Sequence, residues 1–367
     1  MNSVIILTEE LQQAVKLAQP FISKQRDLIR INNHSAVIVD NDLTSGLTYD
    51  FTFLYESSES VIVSVKDLKK ALSGHKAHTV TLQPFNNRVI VNDRIQINEY
   101  THDSAVSFPE SKPYEELLEL DVKNLQTAIK KVAGFASTEI SAPVLNCIQF
   151  TLNADEMELT ATDRHRLARY VFNLDREHHE TFQRFNLPAK YAELLATIKP
   201  ERGIVDLFQN YASHYSEFRF NGKIRIRIKH DESTYPDTTK IVDNSRNHLS
   251  QFGFNRAEIL QTLKELVKNT SDKTKIAVMT YDNITERATI TNGTESPTYK
   301  ATTDILTNDE KPFRIGYNAN YMIDTLQSLE TDYTTVSHTT STQPLYLREE
   351  TATATHEILI LPYRLKD

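Results

Sequence analysis

The chain repeats one helix pattern three times, and each copy starts more than a hundred residues after the last. Every copy has apolar residues at positions i, i+4 and i+7, which predicts a helix with one buried face. These positions are Leu11, Val15 and Ala18, then Leu125, Ile129 and Val132, and then Ile259, Leu263 and Leu266. A lysine stands five residues after the start of each stripe, at Lys16, Lys130 and Lys264. A period this long indicates tandem domains, each offering a positive charge at the same place.

The composition is that of an ordinary globular protein in a reducing compartment. Of its 367 residues, 39% are hydrophobic and 25% are charged, and this length predicts roughly two to four domains. Cys147 is the single cysteine, so no internal disulfide can form, and its strand-like surroundings predict a buried small residue. No apolar run is long enough to span a bilayer, and no basic segment precedes the short apolar run that ends at Leu7. We therefore expect a cytoplasmic protein without membrane association.

The formal net charge of −8 argues, taken alone, against a nucleic-acid partner. Net charge is an average, however, and binding depends on where the charges lie. A chain with this balance can hold DNA only if its basic residues share one surface.

Each helix stripe follows an apolar strand and precedes alternating strand patterns and a second helix. The predicted strands are Val4–Leu7, Ser35–Val39, Thr79–Leu82, Leu118–Val122, Cys147–Leu152, Met157–Ala161, Gln251–Phe254, Lys275–Thr280 and Ala288–Thr291. The second helices are predicted at Val65–Leu72, Pro188–Ile198 and Asn318–Leu329. Pro188 is expected in the first turn of its helix, where the missing N–H has no cost.

Two aromatic–proline–acid triplets, Phe108-Pro109-Glu110 and Tyr235-Pro236-Asp237, each end a copy. Polar stretches at 111–116 and 243–248 follow them and are interpreted as linkers. We predict three domains, residues 1–116, 117–243 and 244–367, each a β-rich α+β structure with two helices.

Motifs for common cofactors and metals are missing from this sequence. It has no Gly-x-Gly-x-x-Gly and no P-loop, and neither Cys-x-x-Cys nor His-Glu-x-x-His occurs. The Glu-His-His-Glu run at 177–180 is the one metal-like cluster. Adjacent histidines in a strand point to opposite faces, and no third ligand is evident. We therefore predict no cofactor and no metal.

Two short segments are not explained by packing. Thr162-Asp163-Arg164-His165-Arg166-Leu167-Ala168 follows an apolar strand and crowds five polar side chains together. The second, Leu359-Ile360-Leu361-Pro362-Tyr363-Arg364-Leu365, is an apolar tail that would fray unless it pairs in a sheet. Because Pro362 cannot donate to a ladder, this end is predicted to be an edge strand.

These segments resemble motifs of the bacterial sliding clamp family, the β subunit of DNA polymerase III. Thr162–Ala168 is similar to its Thr-Asp-x-His-Arg-Leu-Ala motif, and Leu361–Leu365 to its terminal aliphatic–Pro–x–Arg–Leu. Tyr235-Pro236-Asp237 resembles the triplet that closes its middle domain, and Asn318-Ala319-Asn320-Tyr321 resembles its Asn-x-x-Tyr. The resemblance covers the whole chain and is strongest from Leu117 onward.

The resemblance implies the fold class and the assembly. It implies an α+β chain of three tandem clamp-type domains (the DNA clamp fold), each with two helices against antiparallel sheets. Two such chains form a head-to-tail dimeric ring in which helices line the hole and sheets form the outer wall. Double-stranded DNA threads the hole, and phosphate-directed contacts hold it without regard to sequence.

Basic residues on the expected inner helices are the candidate DNA contacts. They are Lys16, Lys66, Lys69, Lys70, Lys123, Lys130, Lys131, Lys190, Lys199, Arg256, Lys264 and Lys268. The resemblance adds Arg26, which aligns with a family arginine near DNA. Taken singly, each of them is better explained by a solvated helix face, but the registered triple Lys16, Lys130 and Lys264 favours DNA. The predicted helix at Asn318–Leu329 has no lysine, so the lining is not expected to be uniformly basic.

The resemblance also implies a hydrophobic groove that accepts short linear peptides from the replicative polymerase, the clamp loader and other proteins. The groove residues are expected to be Thr162, His165, Arg166, Leu167, Asp243, Tyr321, Leu359, Leu361, Pro362, Tyr363, Arg364 and Leu365. Core packing of a last strand is an alternative reading of Leu359 and Leu361.

Several positions depart from the family pattern. Asp243 is expected to replace a groove proline and to place a negative charge at the rim, and Arg164 stands where small residues are common. The departures at Asp243 and Arg164 fit a diverged paralogue with altered partners.

For the dimer interface we expect Ile95 and Ile97 to meet Leu266 and Val267 of a second copy.

Two other functions compete with this interpretation. Asp163 and His165 would suit acid–base catalysis, but no nucleophile, metal set or cofactor loop accompanies them, so we predict no enzyme activity. A scaffold of three β-rich modules that does not bind DNA is the other alternative.

Overall fold

The computed structural model describes residues 3–55, 57–100, 115–174, 183–199, 202–210, 214–248, 250–271, 273–293, 297–309 and 311–365. The boundary triplet Phe108-Pro109-Glu110 and the Glu-His-His-Glu run at 177–180 lie outside these residues.

The described residues form seven α-helices, numbered here in chain order. They are α1 (Thr8–Leu17), α2 (Val65–Ala71), α3 (Val122–Val132), α4 (Ala189–Leu195), α5 (Thr239–Arg246), α6 (Arg256–Asn269) and α7 (Ala319–Ser328).

The strands of the described residues are also numbered in chain order. Up to the third helix they are β1 (Val4–Leu7), β2 (Leu28–Asn32), β3 (Ser35–Val39), β4 (Gly46–Asp50), β5 (Ser60–Ser64), β6 (Thr79–Phe85), β7 (Arg88–Val91), β8 (Ile95–Asn98) and β9 (Glu115–Asp121). The next are β10 (Cys147–Leu152), β11 (Glu156–Thr162), β12 (Arg166–Asn173), β13 (Gln183–Pro188), β14 (Ile204–Asn210), β15 (Tyr215–Phe220) and β16 (Ile224–Lys229). The last are β17 (Ser250–Asn255), β18 (Ile276–Asp282), β19 (Arg287–Asn292), β20 (Lys300–Asp304), β21 (Leu306–Thr307), β22 (Phe313–Asn318), β23 (Tyr333–His338), β24 (Leu345–Glu350) and β25 (Ala354–Ile360).

The predicted repetition is present as a strand that runs directly into a helix, twice in each copy. The first helix of each copy follows β1, β9 or β17, and the second follows β5, β13 or β22. The apolar stripe of each first helix is buried, with Leu11, Leu125 and Ile259 all 0% exposed. The α+β architecture of helices against antiparallel sheets is therefore confirmed.

Polar side chains fix where several of these helices begin. Ser64 accepts a hydrogen bond from the backbone N–H of Asp67 at the start of α2, and Asp121 accepts one from Asn124 at the start of α3. Asn255 and Asn318 do the same for α6 and α7. Such caps satisfy backbone N–H groups that have no partner within the helix.

The chain divides into two compact units. The first comprises Met1–Gln126 and Lys190–Glu232, and the second comprises Thr127–Ala189 and Ser233–Asp367. The first unit contains an eight-stranded sheet in the order β5-β2-β3-β4-β16-β15-β14-β9 and a four-stranded sheet in the order β1-β6-β7-β8. All described strand pairs of this unit are antiparallel.

The second unit contains a nine-stranded sheet in the order β13-β10-β11-β12-β25-β24-β23-β17-β21 and a four-stranded sheet in the order β20-β19-β18-β22. In the larger sheet β12 pairs with β25, with Leu167 opposite Leu359 and Arg169 opposite Glu357. This sheet joins strands from the second and third predicted domains, just as β4–β16 pairing joins the first and second. Because each of the two large sheets contains strands from two predicted domains, the chain forms two compact units although its sequence repeats three times.

Three local predictions were wrong. Pro188 ends β13, opposite Cys147, rather than entering the helix, which begins at Ala189. The supposed linker at 243–248 belongs largely to α5, whose buried Val242 gives it an apolar side. The C-terminal segment is not an edge strand, because Leu359 and Ile360 lie in β25, between β12 and β24.

Candidate functional site

A cavity of about 150 Å³ in the second unit brings the Thr162–Ala168 motif together with the end of β25. It is lined by Leu145, Thr162, Arg164, His165, Arg166, Leu167, Pro236, Thr238, Ile241, Leu359 and Leu361. The aliphatic side chains supply an apolar surface, and the polar side chains are concentrated in the motif. This combination is typical of sites that bind small ligands or peptide side chains.

The polar residues of the motif build the turn between β11 and β12. The Thr162 hydroxyl donates to the carbonyl of Arg166 at 2.7 Å and accepts from the N–H of Arg164 at 3.2 Å. One oxygen of Asp163 accepts from the N–H groups of His165 and Arg166, at 3.0 and 2.9 Å. The turn is therefore held by its own side chains, which accounts for the density of polar residues in this segment.

Arg166 ties this turn to α7. Its guanidinium donates to Asp163 at 3.0 Å, to Asp324 at 2.6 Å and to the carbonyl of Gly134 at 2.8 Å. It also lies 4.7 Å from the ring centroid of Tyr321. The same ring stacks on His165 at 6.0 Å. Arg166 and Tyr321 thus fix the motif against the helix instead of leaving it as a loose loop.

One wall of the cavity is formed by Thr238, the residue directly before α5, and by Ile241 on that helix. Val242 on this helix packs in a buried cluster with Leu167, Tyr346 and Leu359. The apolar residues that line the cavity are therefore continuous with the core beneath it.

A buried carboxylate anchors the far end of α5. Glu357 is 1% exposed and accepts two hydrogen bonds from Arg246, at 2.6 and 2.7 Å. Arg169 and the hydroxyl of Tyr346 also donate to it, each at 2.7 Å. Burial alone would raise the pKa of Glu357, but the hydrogen bonds from Arg246, Tyr346 and Arg169 lower the pKa to about 2. The carboxylate therefore stays ionised and holds the helix in place.

The C-terminal tail leaves β25 at the mouth of the cavity. The N–H of Leu361 donates to the carbonyl of His165 at 2.8 Å, and that of Tyr363 donates to the carbonyl of Gly316 at 2.7 Å. A Cβ atom at Gly316 would lie 2.7 Å from Leu365 Cδ2 and 2.9 Å from the Tyr363 carbonyl oxygen. Glycine is therefore required on β22 for the tail to lie this close.

Six of the predicted groove residues line the cavity, namely Thr162, His165, Arg166, Leu167, Leu359 and Leu361. Tyr321 contacts two of them without lining it. Four more, Pro362, Tyr363, Arg364 and Leu365, lie in the tail beyond the lining.

The expectation for Asp243 needs correction. Asp243 does not line the cavity, and its carboxylate accepts from Arg246 at 2.8 Å. The proline of the lining is Pro236, from the triplet interpreted above only as a domain boundary. In that triplet the buried Tyr235 hydroxyl accepts from the N–H of Thr162 at 3.1 Å, and this contact joins the triplet to the motif.

Sequence reasoning missed five of the lining residues, which are Leu145, Arg164, Pro236, Thr238 and Ile241. For Pro236, Thr238 and Ile241 the available signal was the apolar spacing of Tyr235, Ile241 and Val242, directly before the segment interpreted as a linker. Leu145 gave no local signal, because it lies in a short turn at Pro143–Asn146.

Most of the predicted DNA-binding cations are exposed on helices or directly beside them. The exposed ones are Lys16, Lys66, Lys69, Lys70, Lys123, Lys130, Lys190, Lys199, Lys264 and Lys268. Arg26 and Arg256 are half-buried. Each of Lys16, Lys130 and Lys264 lies at the solvent side of its helix, and none has an ion-pair partner among the described residues.

Lys131 and Arg256 perform a different task, which corrects their assignment as DNA contacts. Lys131 is 7% exposed and donates to the carbonyl of Ser328 at 2.6 Å. Arg256 donates to the carbonyl of Leu326 at 3.2 Å. Both carbonyls belong to the last turn of α7, where they have no partner within the helix and carry partial negative charge. These two cations therefore donate hydrogen bonds to carbonyl groups at the C-terminal end of α7, a helix that contains no lysine.

The predicted dimer-interface residues differ in exposure. Ile95 is 43% exposed on β8, the last strand in the order of its sheet, whereas Ile97 is 8% exposed. Val267 is half-buried. Leu266 is 0% exposed within the core of its own chain. The expectation for Leu266 is thus wrong, since it has no surface to offer a second copy.

Within the described ranges, no three His, Cys, Asp or Glu side chains are grouped so that they could hold a metal ion. Nor does any helix there have the length and apolarity needed to span a bilayer. Cys147 is buried, as predicted.

Comparison with known proteins identifies two matching family models. The model for the central domain of the DNA polymerase III beta subunit matches residues 119–244, and the model for its C-terminal domain matches residues 243–364. Together the two matches extend over more than half of the chain.

Named relatives and solved structures agree with these matches. A beta sliding clamp from Staphylococcus aureus is 26% identical over 253 residues, which are 68% of this chain and 64% of that protein. The chain thus spans somewhat less than two thirds of that relative. A beta sliding clamp from Staphylococcus epidermidis is 24% identical over 302 residues, covering 81% of this chain and 77% of that protein.

Among solved structures, the DNA polymerase III beta subunit of Thermotoga maritima superposes with a TM-score of 0.85 at 16% identity, covering 99% of this chain and 100% of that one. The beta chain from Streptococcus pneumoniae gives a TM-score of 0.85 at 19% identity, with the same coverage. The sliding clamp of Bacillus subtilis gives 0.82 at 18% identity, covering 99% of both chains. These likenesses show that the fold is shared over almost the whole chain.

Proposed function

Because this chain belongs to the DNA polymerase III beta subunit family, we propose that it is a DNA sliding clamp. Two copies close into a ring around duplex DNA, and a groove on each copy tethers the replicative polymerase and other proteins. The chain contributes three clamp-type domains, residues 1–116, 117–243 and 244–367, so that a dimer contains six. The observation that carries the proposal is the matched triple of exposed lysines, one on the first helix of each copy.

The electrostatics of Lys16, Lys130 and Lys264 suit a duplex that must slide. Each ammonium is exposed and has no carboxylate partner within the described residues. Such groups attract phosphates and release counterions without reading a base. The burial of acidic groups in ion pairs elsewhere, as at Glu357, lets a chain of net charge −8 keep these cations available.

In a head-to-tail ring, one surface of each chain contacts a different surface of the other chain. We place one surface at β8, where Ile95 is exposed beside Gln96 on a terminal strand of its sheet. A second chain that covers this strand would protect its edge from pairing with other strands. The other surface lies at the solvent side of α6, where Leu260 and Val267 are half-buried.

The cavity at the Thr162–Ala168 motif is the proposed docking site for partner peptides. Its aliphatic walls can receive two apolar side chains, and the carbonyl and amide groups of the tail can orient a peptide backbone. Micromolar affinity needs only about 8 kcal/mol, which two buried side chains and a few hydrogen bonds supply. Peptides of the Gln-x-x-Leu-Phe type fit this chemistry.

Retention on circular DNA tests the ring. The protein is loaded onto a nicked circle with a clamp loader and ATP, and the complex is isolated by gel filtration before and after the circle is cut. A ring stays on the circle and slides off the linear product. A scaffold that does not bind DNA is absent from both, and a protein that binds DNA without encircling it remains on both.

A lysine variant tests the inner surface in the same assay. Replacing Lys16, Lys130 and Lys264 by alanine should reduce retention and lower the salt dependence by about 0.9 in log–log slope for each phosphate that the variant no longer neutralises. The matched control replaces Lys24, Lys300 and Lys311, which are also exposed but lie outside the helices. Equal behaviour of the two triple variants would contradict the proposed role.

Mass measurement tests the dimer. At micromolar concentration we expect a dimer that Ile95→Asp converts to monomer, because a charge would be buried at the contact. Ile284→Asp is the control, since Ile284 is 89% exposed in the turn between β18 and β19. A monomer at every concentration would contradict ring formation.

A further inference from the structure

The charged side chains in the described lining of the cavity are all basic. Arg164, His165 and Arg166 line it, whereas no aspartate or glutamate is among the described lining residues. Asp237 lies between two lining residues, but its carboxylate accepts from the N–H of Thr239 at the start of α5. A ligand that enters this cavity therefore meets two arginine side chains and no carboxylate in the described lining.

Arg166 cannot supply a new ion pair without breaking old ones. Its guanidinium already donates to Asp163, Asp324 and the Gly134 carbonyl, and its side chain is only 9% exposed. Its charge is therefore neutralised within the chain, and its role is to hold the turn.

Arg164 is placed differently. Its side chain is 55% exposed, and its one described partner is Glu139, itself 62% exposed, at 2.5 Å. An ion pair this open to water contributes little to stability. A carboxylate from another molecule can therefore replace Glu139 at little cost.

The backbone at Arg164 reinforces this interpretation. Its φ is +76°, a left-handed conformation. Glycine adopts this conformation freely, whereas the Cβ atom makes it unfavourable for arginine. The hydrogen bonds of Thr162 and Asp163 maintain the turn despite this cost. Strained residues that persist in this way are concentrated at functional sites.

We propose that Arg164 is a specificity-determining residue, which selects peptides that carry an acidic residue beside their apolar anchors. The peptide carboxylate displaces Glu139 and pairs with the guanidinium, while the apolar anchors occupy the cavity between Leu167, Ile241 and Leu361. This inference rests on the proposed peptide-docking function and names the chemistry of its preferred partner.

Paired peptides test the selection. Fluorescein-labelled Gln-Ala-Asp-Leu-Phe and Gln-Asp-Ala-Leu-Phe are titrated with the full chain by anisotropy, each against its Asn-for-Asp counterpart. At least one acidic peptide should bind about fivefold more tightly, which corresponds to about 1 kcal/mol. The preference should shrink as salt is raised, since the pair is exposed to solvent.

Three variants identify the residue responsible. Arg164→Gly should abolish the preference without disturbing the turn, since glycine suits a φ of +76°, and Arg164→Lys should retain part of it. Glu139→Gln should increase the preference, because it removes the competing carboxylate. Arg348→Ala is the matched control, since Arg348 pairs with Glu350 on the surface away from the lining and is 47% exposed.

The outcomes separate this inference from the function on which it rests. Equal binding of acidic and amide peptides, or a preference that survives Arg164→Gly, would overturn the role of Arg164 while leaving peptide docking intact. If no peptide binds, or if peptides bind equally well after Leu361→Ala, the docking function itself fails.

Discussion

Arg246 Nη2 lies 2.7 Å from Oε2 of Glu357, a carboxylate that is 1% exposed. The two residues are 111 positions apart in the chain. Their contact joins the end of α5 to the middle of the nine-stranded sheet, and so it sets one wall of the cavity. The position of this wall of the proposed docking site therefore depends on a buried ion pair.

Glu357→Gln is predicted to destabilise the fold and loosen α5. The substitution keeps the shape of the side chain but removes the buried carboxylate that Arg169 and Arg246 share. Among the described carboxylates, Arg169 then keeps only Glu158, and Arg246 keeps only Asp243. The expected cost is about 2–4 kcal/mol. Chemical denaturation measures this loss, and peptide titration should show weaker binding. Glu350→Gln is the control, because Glu350 is 59% exposed in its pair with Arg348. Equal stability of the two variants would contradict the anchoring role.

The contribution of Glu357 should depend on pH in acid. Its pKa is lowered to about 2 in the folded chain, whereas an unfolded glutamate titrates near pH 4.3. A lowered pKa means that the stabilisation is complete above about pH 4.3 and is lost as the pH falls toward about 2. The difference in melting temperature between the wild type and Glu357→Gln should therefore shrink over this window. A difference that stays constant would show that Glu357 is not the group that titrates.

Gly316→Ala is predicted to displace the C-terminal tail. The new Cβ atom would meet Leu365 at 2.7 Å and the backbone of Tyr363 at 2.9 Å, and the backbone cannot simply rotate away. Overpacking of this kind costs about 1–3 kcal/mol, so carboxypeptidase should remove the tail faster. Gly203→Ala serves as the control, since a Cβ there meets nothing within 4 Å. Unchanged digestion would mean that the tail does not rest on Gly316.

Alanine substitutions of the neighbouring lysines Lys130 and Lys131 should affect different properties, namely DNA retention for Lys130 and stability for Lys131. Lys131→Ala removes a buried ammonium that bonds Ser328 and Glu349, at 2.6 and 3.1 Å, and should cost about 2–3 kcal/mol of stability. Lys130→Ala removes an exposed side chain and should change stability by less than about 0.5 kcal/mol, while lowering retention on DNA. Thermal unfolding and the circular-DNA assay measure the two effects. The reverse pattern would contradict both assignments.

The sequence by itself determined the features that depend only on residues close together in the chain. The three apolar stripes predicted three helices because helical periodicity is set by neighbouring residues. The Thr162–Ala168 turn was likewise detectable, since Thr162 and Asp163 bond within their own segment. Together with the terminal motif, these features supported the clamp family and six of the cavity's lining residues.

The tertiary structure decided which residues meet across long separations. Nothing in the local pattern distinguishes exposed Lys130 from buried Lys131, because the partners of Lys131 at Ser328 and Glu349 lie 197 and 218 positions away. The polar segment after Tyr235 forms α5 because Arg246 pairs with Glu357 and because Val242 packs on Leu359. Contacts of this kind arise only when sheets bring remote strands together, and their free energy is absent from any short window of sequence.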